Sequence, residues 1–122
     1  MPSLIARVVK AGARLSIRHQ PKSPQSLVRH LRLTMGNPPS ITLLPRGVTC
    51  TSFQEGALKG DWLRVEKPGQ VMLYLHGGGY VCGSPKTYHN LCGRLAKALQ
   101  ADVLMPAYRL APEHPFPAAV DD

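Results

Sequence analysis

The sequence predicts an α/β fold in which a β-hairpin leads into a parallel sheet with flanking helices. The first observation is a strand, a helix and a strand in succession over residues 71–108. This order predicts a parallel pair of strands, because such a pair needs a crossover connection of this kind. The second is a change after Leu44 from helical spacing of apolar residues to short β-rich runs. The third is composition: the 122 residues are 43% hydrophobic and 18% charged, as in globular domains.

Two helices are predicted in the first part of the chain. Residues Leu4 to Arg18 carry apolar side chains on one side at helical spacing and Arg or Lys on the other. A second, shorter helix is predicted from about Ser26 to Met35, after prolines at 21 and 24 and before a loop at 36–40. We therefore divide the chain into a helical segment, residues 1–43, and an α/β core, residues 44–122.

The positive charge is concentrated in the helical segment. The net charge is +8, yet the first 54 residues contain eight Lys or Arg and no Asp or Glu. A nucleic-acid surface, a membrane-surface helix, a mitochondrial transit peptide and a solvated helix face would each give this imbalance. We favour the solvated face, and we expect no nucleic-acid partner because the basic residues lack interleaved aromatic ones.

The core begins with a hairpin and continues with two strands. Residues 47–54 and 60–67 are short β-rich runs and predict an antiparallel pair. Residues Val71 to His76 form a continuous apolar run, which predicts a strand buried on both faces. The run from Asp102 to Tyr108 predicts a further buried strand, and we expect its far edge to be unpaired.

A helix is predicted between these two strands. Ser84 is a suitable N-cap, and Pro85 suits the first helical position. Its apolar stripe is predicted to comprise Tyr88, Leu91, Leu95 and Leu99. After the second strand, the prolines of residues 112–117 predict a structured loop, and residues 118–122 predict the opening turn of another helix.

The three cysteines, Cys50, Cys82 and Cys92, are odd in number and form no CxxC pair, so we interpret them as free buried thiols. His89 and Cys92 form a single HxxC pair, which has too few ligands for a metal site. We predict no metal and no cofactor. The free thiols, together with the lack of a secretory signal and of an apolar run long enough to span a membrane, favour the cytoplasm.

The sequence HGGG at residues 76–79 follows the predicted strand directly. Its spacing matches neither of the common phosphate-binding glycine motifs, and a simple turn seldom needs three glycines. Glycines without Cβ atoms allow backbone N–H groups to face a substrate, as in the oxyanion hole that stabilises a tetrahedral intermediate. An HGGG-type motif after the third strand supplies this hole in lipases and esterases of the α/β-hydrolase fold. Here too the strand is the third.

The sequences HGGGYVCGS (76–84) and YRLAPEHPFPAAVDD (108–122) together resemble the hormone-sensitive-lipase branch of the α/β-hydrolase fold, the bacterial group IV carboxylesterases. The resemblance implies the N-terminal part of such a fold, with the helices of residues 1–43 forming part of a cap over the active site. It also implies a small-molecule ester as substrate. The family usually has an acid where this chain has Ala107.

The resemblance also implies roles for individual residues. The N–H groups of Gly78 and Gly79 would point into the oxyanion hole, Gly77 would permit the turn, and His76 would brace the loop. Tyr80 and Val81 would line the acyl pocket. Tyr108, Arg109, Glu113 and the prolines would be scaffold: Arg109 and Glu113 would pair or cap nearby backbone, and one or both of the bonds before Pro112 and Pro117 would be cis.

The catalytic serine of this family lies in a GxSxG sequence, which the 122 residues do not contain. Ser84 follows a glycine, but a triad of Ser84 with His89 or His114 is disfavoured because Pro85 occupies the place where the turn must close. We therefore expect the N-terminal portion of a longer esterase, inactive when isolated. A non-catalytic or decayed ligand-binding member of the same fold is the alternative.

Overall fold

The computed structural model describes residues 3–18, 23–35 and 44–122. These fall into two compact units, Met1–His30 and Leu31–Asp122. The second unit holds the whole sheet and the candidate site.

Both predicted helices are present. Helix α1 is Leu4–Arg18, as predicted. Helix α2 is Pro24–Met35 and begins two residues earlier than expected, since the fixed φ of proline suits a first helical turn. Ser23 precedes it, and its hydroxyl accepts a hydrogen bond of 3.3 Å from the backbone N–H of Ser26. Several sequence predictions lie outside the described residues or side chains: Pro21, the loop at 36–40, and the side chains of Leu4, Ile5, Val9, Leu15 and Met35.

Four strands form one mixed sheet. They are β1 (Thr49–Glu55), β2 (Leu58–Arg64), β3 (Gln70–Leu73) and β4 (Ala101–Pro106), in the spatial order β1-β2-β4-β3. Strands β1 and β2 form the predicted antiparallel hairpin, and β3 and β4 pair in parallel. The α/β class and the hairpin leading into a parallel pair are confirmed.

Strand β4 lies between β2 and β3, so the prediction that it would have an unpaired edge is wrong. The chain leaves β3 through the crossover helix and returns on the side of the hairpin, where β4 also pairs with β2. Strand β3 is consequently an end of the described sheet. The prediction that it is buried on both faces is also wrong, because the exposed fractions of Val71, Leu73 and Leu75 are 63%, 58% and 63%.

Helix α3 (Pro85–Leu99) crosses between β3 and β4, with Ser84 as N-cap and Pro85 in the first turn, as predicted. Its buried face differs from the predicted stripe. Cys92 and Ala96 are fully buried, whereas Leu91 and Leu99 are 48% and 47% exposed. Small residues face inward because the helix packs closely on the structure beneath it: a Cβ atom on Gly93 would lie 2.8 Å from Cδ of Pro45. The core cluster consists of Val48, Leu63, Cys92, Ala96, Val103 and Met105.

The C-terminal segment is a loop followed by helix α4 (Ala118–Asp121), as predicted. The peptide bonds before Pro112 and Pro117 are both cis, which agrees with the sequence expectation for these bonds. Among the helices of the described residues, none is both long enough and apolar enough to cross a bilayer.

The exposed apolar face of β3 leads to a prediction about self-association. We expect the 122-residue chain to associate through this edge strand, since an unpaired apolar edge is a template for pairing with another chain. Leu73→Lys should shift the sedimentation coefficient towards that of a monomer, because a lysine on an edge strand opposes such pairing. Val120→Lys is the matched control, since Val120 is 68% exposed but lies in α4. An equal shift in both variants would contradict the edge as the contact.

Candidate active site

The HGGG loop, residues 76–83, follows β3 after Tyr74 and Leu75, and His76 anchors its start. The His76 side chain is buried, with the residue 5% exposed, and its ring stacks on that of Tyr108 with centroids 4.2 Å apart. The Tyr108 hydroxyl donates a hydrogen bond to the backbone carbonyl of His76. Nδ1 of His76 lies 3.1 Å from the carbonyl oxygen of Gly77. These contacts hold the histidine between the strand and the loop.

Burial lowers the pKa of His76, and the smaller opposing effect is the hydrogen bond to Gly77. The imidazole is therefore neutral at physiological pH, and an Nδ1–H tautomer satisfies the contact with the Gly77 carbonyl. A buried neutral ring that bonds to its own loop fits a bracing function better than that of a general base.

Two of the three glycines after His76 adopt backbone conformations that few other residues tolerate. The φ angles are +139° at Gly78 and +61° at Gly79. A Cβ atom at Gly78 would overlap the backbone carbonyl of Cys82, whereas one at Gly79 would meet nothing within 4 Å. Tyr80 continues the left-handed run with φ +61°, which is uncommon for a residue with a side chain. The close approach at Gly78 thus makes a glycine necessary there.

The loop folds back on the carbonyl of Gly78. This oxygen accepts hydrogen bonds from the N–H of Val81 (3.2 Å), the N–H of Cys82 (3.1 Å) and Sγ of Cys82 (3.2 Å). The N–H groups of Gly78 and Gly79 donate to no backbone carbonyl of the described residues. Two adjacent amides at the tip of a constrained loop are therefore available to bind an acceptor.

A second contact fixes the far side of the loop. Arg32 of α2 donates from Nε to the carbonyl of Val81 (2.8 Å) and from one terminal nitrogen to the carbonyl of Ala111 (2.9 Å). Both of its terminal nitrogens also bond to the carboxylate of Glu113, at 2.7 Å each. The N–H of Ala111 donates to the carbonyl of Tyr80 at 2.8 Å. We refer to these contacts of Arg32 as the Arg32 clamp, which joins the HGGG loop to the proline-rich loop, residues 109–117.

The two charged scaffold residues each form an ion pair, but not with one another. Glu113 bonds to Arg32, and this hydrogen bond is the main reason that the pKa of Glu113 falls to about 2. Nε of Arg109 lies 2.8 Å from the carboxylate of Asp122, and its terminal nitrogen donates to the carbonyl of Ala118 at 3.2 Å. Arg109 thereby fixes α4 against the start of the proline-rich loop.

The remaining predicted residues are also placed. Tyr80 is 61% exposed, with its ring 6.1 Å from that of Tyr108, and Val81 is half-buried. Ala107, which replaces the acid of the family pattern, donates its N–H to the carbonyl of Lys59 at 2.7 Å. The backbone there is thus held without a charged side chain.

The histidines considered for a triad have other surroundings. Nε2 of His89 lies 2.8 Å from Oδ2 of Asp61, and His114 is exposed in the proline-rich loop. Sequence reasoning missed Arg32 as part of the site. Its only signal was a basic residue in a segment without acids, which did not indicate that its partner lies 81 residues further along the chain.

Comparison with known proteins shows what the chain is similar to. Residues 72–122 match the sequence pattern of a family described as having the alpha/beta hydrolase fold. The chain is 46% identical over 68 residues to an acetyl-hydrolase of Streptomyces hygroscopicus, covering 55% of this chain and 23% of that protein. It is 50% identical over 54 residues to an ethyl acetate hydrolase of Pseudomonas putida, covering 44% and 17% respectively.

Solved structures match over more of the chain. An esterase from the bacterial hormone-sensitive lipase family superposes with a TM-score of 0.68 at 33% identity, covering 89% of this chain and 36% of that one. A hormone-sensitive lipase from a metagenome library superposes with a TM-score of 0.63 at 32% identity, covering 85% and 41%. The matched part is thus well under half of each of these proteins. With its HGGG loop and proline-rich loop in place, the chain has the α/β-hydrolase fold and is similar to esterases of the bacterial hormone-sensitive lipase family.

Proposed function

We propose that this chain supplies the oxyanion hole of a serine carboxylesterase that hydrolyses small to medium acyl esters. The observation that carries the proposal is the pair of N–H groups at Gly78 and Gly79, which donate to no backbone carbonyl of the described residues. The contacts of His76, Tyr108 and Arg32 fix the loop around them before a substrate arrives. Such preorganised donors stabilise developing negative charge without reorganisation during the reaction.

In the proposed reaction, a serine attacks the ester carbonyl and forms a covalent acyl-enzyme, which water then hydrolyses. Each tetrahedral intermediate places its oxyanion on the amides of Gly78 and Gly79. The neutral ring of His76 keeps the loop in position and transfers no proton. The nucleophile, its acid and its base are not supplied by the 122 residues, which lack the GxSxG sequence.

The names of the relatives support the substrate class. An acetyl-hydrolase and an ethyl acetate hydrolase are among the similar proteins, and both names refer to a short acyl group. We propose that Tyr80 and Val81, which follow the oxyanion amides directly, contribute to the acyl pocket. The unpaired state of Cys50, Cys82 and Cys92 supports a reducing compartment, and we propose the cytoplasm.

The first test uses the 122-residue chain. We expect no turnover of p-nitrophenyl acetate or butyrate above that of an equal concentration of free imidazole, because no nucleophile is activated. Ser84→Ala is measured alongside. Robust hydrolysis by the chain would overturn the proposal that the 122 residues supply the oxyanion hole but no nucleophile. Loss of that hydrolysis in Ser84→Ala would identify Ser84 as the nucleophile.

The second test restores a nucleophile. The chain replaces the superposing segment of the hormone-sensitive-lipase family esterase, and the chimera is assayed with p-nitrophenyl butyrate. Replacing the amide that contains the Gly79 nitrogen with an ester removes one N–H donor and should lower kcat by about 100- to 1000-fold. The same replacement at Gly56, in the hairpin turn, is the control. A folded but inactive chimera would favour the non-catalytic alternative, and an unchanged kcat would exclude the Gly79 amide.

A further inference from the structure

Three potential metal ligands of different chemistry lie close together between the β1–β2 hairpin and the N-terminal half of α3. They are Sγ of Cys50, a carboxylate oxygen of Asp61 and a ring nitrogen of His89, and all three atoms lie within 4.8 Å of one another. They come from β1, β2 and α3 respectively. Cys50 is exposed, so the expectation of a buried thiol is wrong for this cysteine; His89 is half-buried and Asp61 is buried. These three residues, called the Cys50 cluster below, are not used in the proposed esterase reaction.

The register of the hairpin brings two of these ligands together. Ser52 pairs with Asp61, and Cys50, two residues before Ser52, lies on the same face of the sheet. His89 reaches this face from the second turn of α3. The cluster is therefore formed by the hairpin and the crossover helix, whose mutual packing encloses the core.

Asp61 is already oriented for a ligand function. Its Oδ1 accepts a hydrogen bond from the Ser52 hydroxyl at 2.9 Å, and its Oδ2 lies 2.8 Å from Nε2 of His89. Metal-binding carboxylates are commonly fixed by such outer hydrogen bonds. An aspartate held by a serine can keep one oxygen free for an ion if the histidine proton moves away.

We propose that the Cys50 cluster binds a divalent ion of the zinc type, with Cys50, Asp61 and His89 as protein ligands and water in the fourth position. Sulfur, imidazole nitrogen and carboxylate oxygen are the ligands that zinc prefers, at about 2.3, 2.0 and 2.0–2.2 Å. Those lengths place tetrahedral ligand atoms roughly 3.3–3.6 Å apart. The contact of 2.8 Å between Asp61 and His89 must therefore open slightly, and Sγ of Cys50, within 4.8 Å of both, must come to the same separation.

Binding requires one deprotonation and one choice of tautomer. The Cys50 thiol loses its proton to solvent, because the thiolate is the ligand. The imidazole of His89 takes the Nδ1–H tautomer, so that the lone pair of Nε2 faces the ion. Lys86, one turn before His89, is a cation that interacts with Cys50. Its repulsion should keep the affinity below that of a closed structural zinc site.

This assignment differs from the HxxC pair in the sequence. Cys92 is fully buried in the core, and burial raises the pKa of its thiol to about 11, so it is an apolar packing residue. The histidine of that pair instead faces Asp61 and Cys50, which lie 28 and 39 positions away in the chain.

The test titrates the 122-residue chain with Co²⁺ and then displaces the Co²⁺ with Zn²⁺. We expect one ion per chain and a sulfur-to-cobalt charge-transfer absorption in the near ultraviolet. Cys50→Ser should abolish this absorption, and Asp61→Asn and His89→Gln should each weaken binding by at least about 10-fold. His114→Gln removes a histidine from the proline-rich loop and should change nothing. In the unsubstituted chain, Zn²⁺ should also slow modification of Cys50 by a thiol reagent, because the bound ion occupies the thiolate. The measurement reports on Cys50, since Cys82 and Cys92 are only 2% and 0% exposed.

The outcome is decided mainly by Cys50→Ser, because this exposed position tolerates serine without loss of core packing. Circular dichroism checks that Asp61→Asn and His89→Gln are folded. If one of them is unfolded, the thiol-protection measurement on the unsubstituted chain is used in place of its titration. Absence of saturable binding, binding without a charge-transfer absorption, or an absorption that survives Cys50→Ser would each overturn the proposal. Asp61 and His89 would then be a hydrogen-bonded structural pair.

Discussion

Gly78→Ala is expected to lower the free energy of unfolding by about 2–4 kcal/mol, because it adds both backbone strain and a steric overlap. The φ angle of +139° at this position is one that residues with a side chain rarely adopt. The new Cβ atom would overlap the carbonyl of Cys82, so the loop must move to accept it. Urea denaturation of the 122-residue chain, followed by circular dichroism, measures the change.

Gly79→Ala is the matched control, since it also has a positive φ, +61°, but open space where the Cβ would lie. Its expected cost is about 1–2 kcal/mol, the price of a left-handed conformation alone. The two variants also differ in the esterase chimera. Gly79→Ala keeps its N–H and should retain most of the activity, whereas Gly78→Ala should lose it because the loop is displaced. Equal effects of the two variants on stability would contradict the close packing described for Gly78.

Local sequence signals predicted the elements that depend on nearby residues. Helix α1 was predicted at its observed bounds because its apolar and basic residues alternate at helical spacing. The N-cap at Ser84 followed from the Ser-Pro pair. The HGGG loop was recognisable because the tight turn and close approach it needs depend on consecutive glycines. In each case the physical cause lies within a few residues of the feature.

Features that depend on how the elements are arranged were not predictable in the same way. The place of β4 between β2 and β3 depends on the side of β3 to which the crossover returns. The apolar sequence of β4 is compatible with pairing on either side of β3. The buried face of α3 is set by its close approach to the sheet, which selects Cys92 and Ala96 over Leu91 and Leu99. Leucine spacing was therefore right for Tyr88, which packs against the core, but wrong for Leu91 and Leu99.

The same limit applies to the sites. Arg32 and Glu113 are separated by 81 positions, and the Cys50 cluster requires both the hairpin register and the packing of α3. A sequence pattern identifies such residues only when their partners occupy a fixed spacing. The oxyanion residues have that fixed spacing, and the residues that hold the loop in place do not.

Arg32→Met is the second substitution with a large expected effect. Methionine keeps an unbranched side chain but removes every donor of the Arg32 clamp, leaving the carbonyls of Val81 and Ala111 without this partner. Loss of these charged hydrogen bonds should lower the free energy of unfolding by about 2–3 kcal/mol. Amide hydrogen exchange at Val81 and Cys82 should accelerate, because their loop loses its attachment to α2. Arg29→Met, at an exposed position on the same helix, should change neither quantity.

The dependence on pH separates the two parts of the clamp. Arg32 lowers the pKa of Glu113 from its ordinary value of 4.5 to about 2. A carboxyl group whose pKa is lower in the folded than in the unfolded state stabilises the fold fully at a pH above its unfolded-state pKa. This contribution is lost as the pH falls through the folded-state pKa. The difference in stability between the unsubstituted chain and Arg32→Met should therefore shrink from pH 5 to pH 2, about the window set by the two pKa values.

Glu113→Gln isolates the part that does not titrate. This variant keeps the bonds from Arg32 to the carbonyls of Val81 and Ala111, so its stability relative to Arg32→Met should stay constant over the same pH range. Its loop amides should also exchange more slowly than those of Arg32→Met, because the guanidinium still holds the loop. If Glu113→Gln instead matched Arg32→Met in both measurements, the ion pair alone would carry the clamp. The carbonyl bonds, which connect α2 to the loop beside the proposed oxyanion hole, would then contribute nothing measurable.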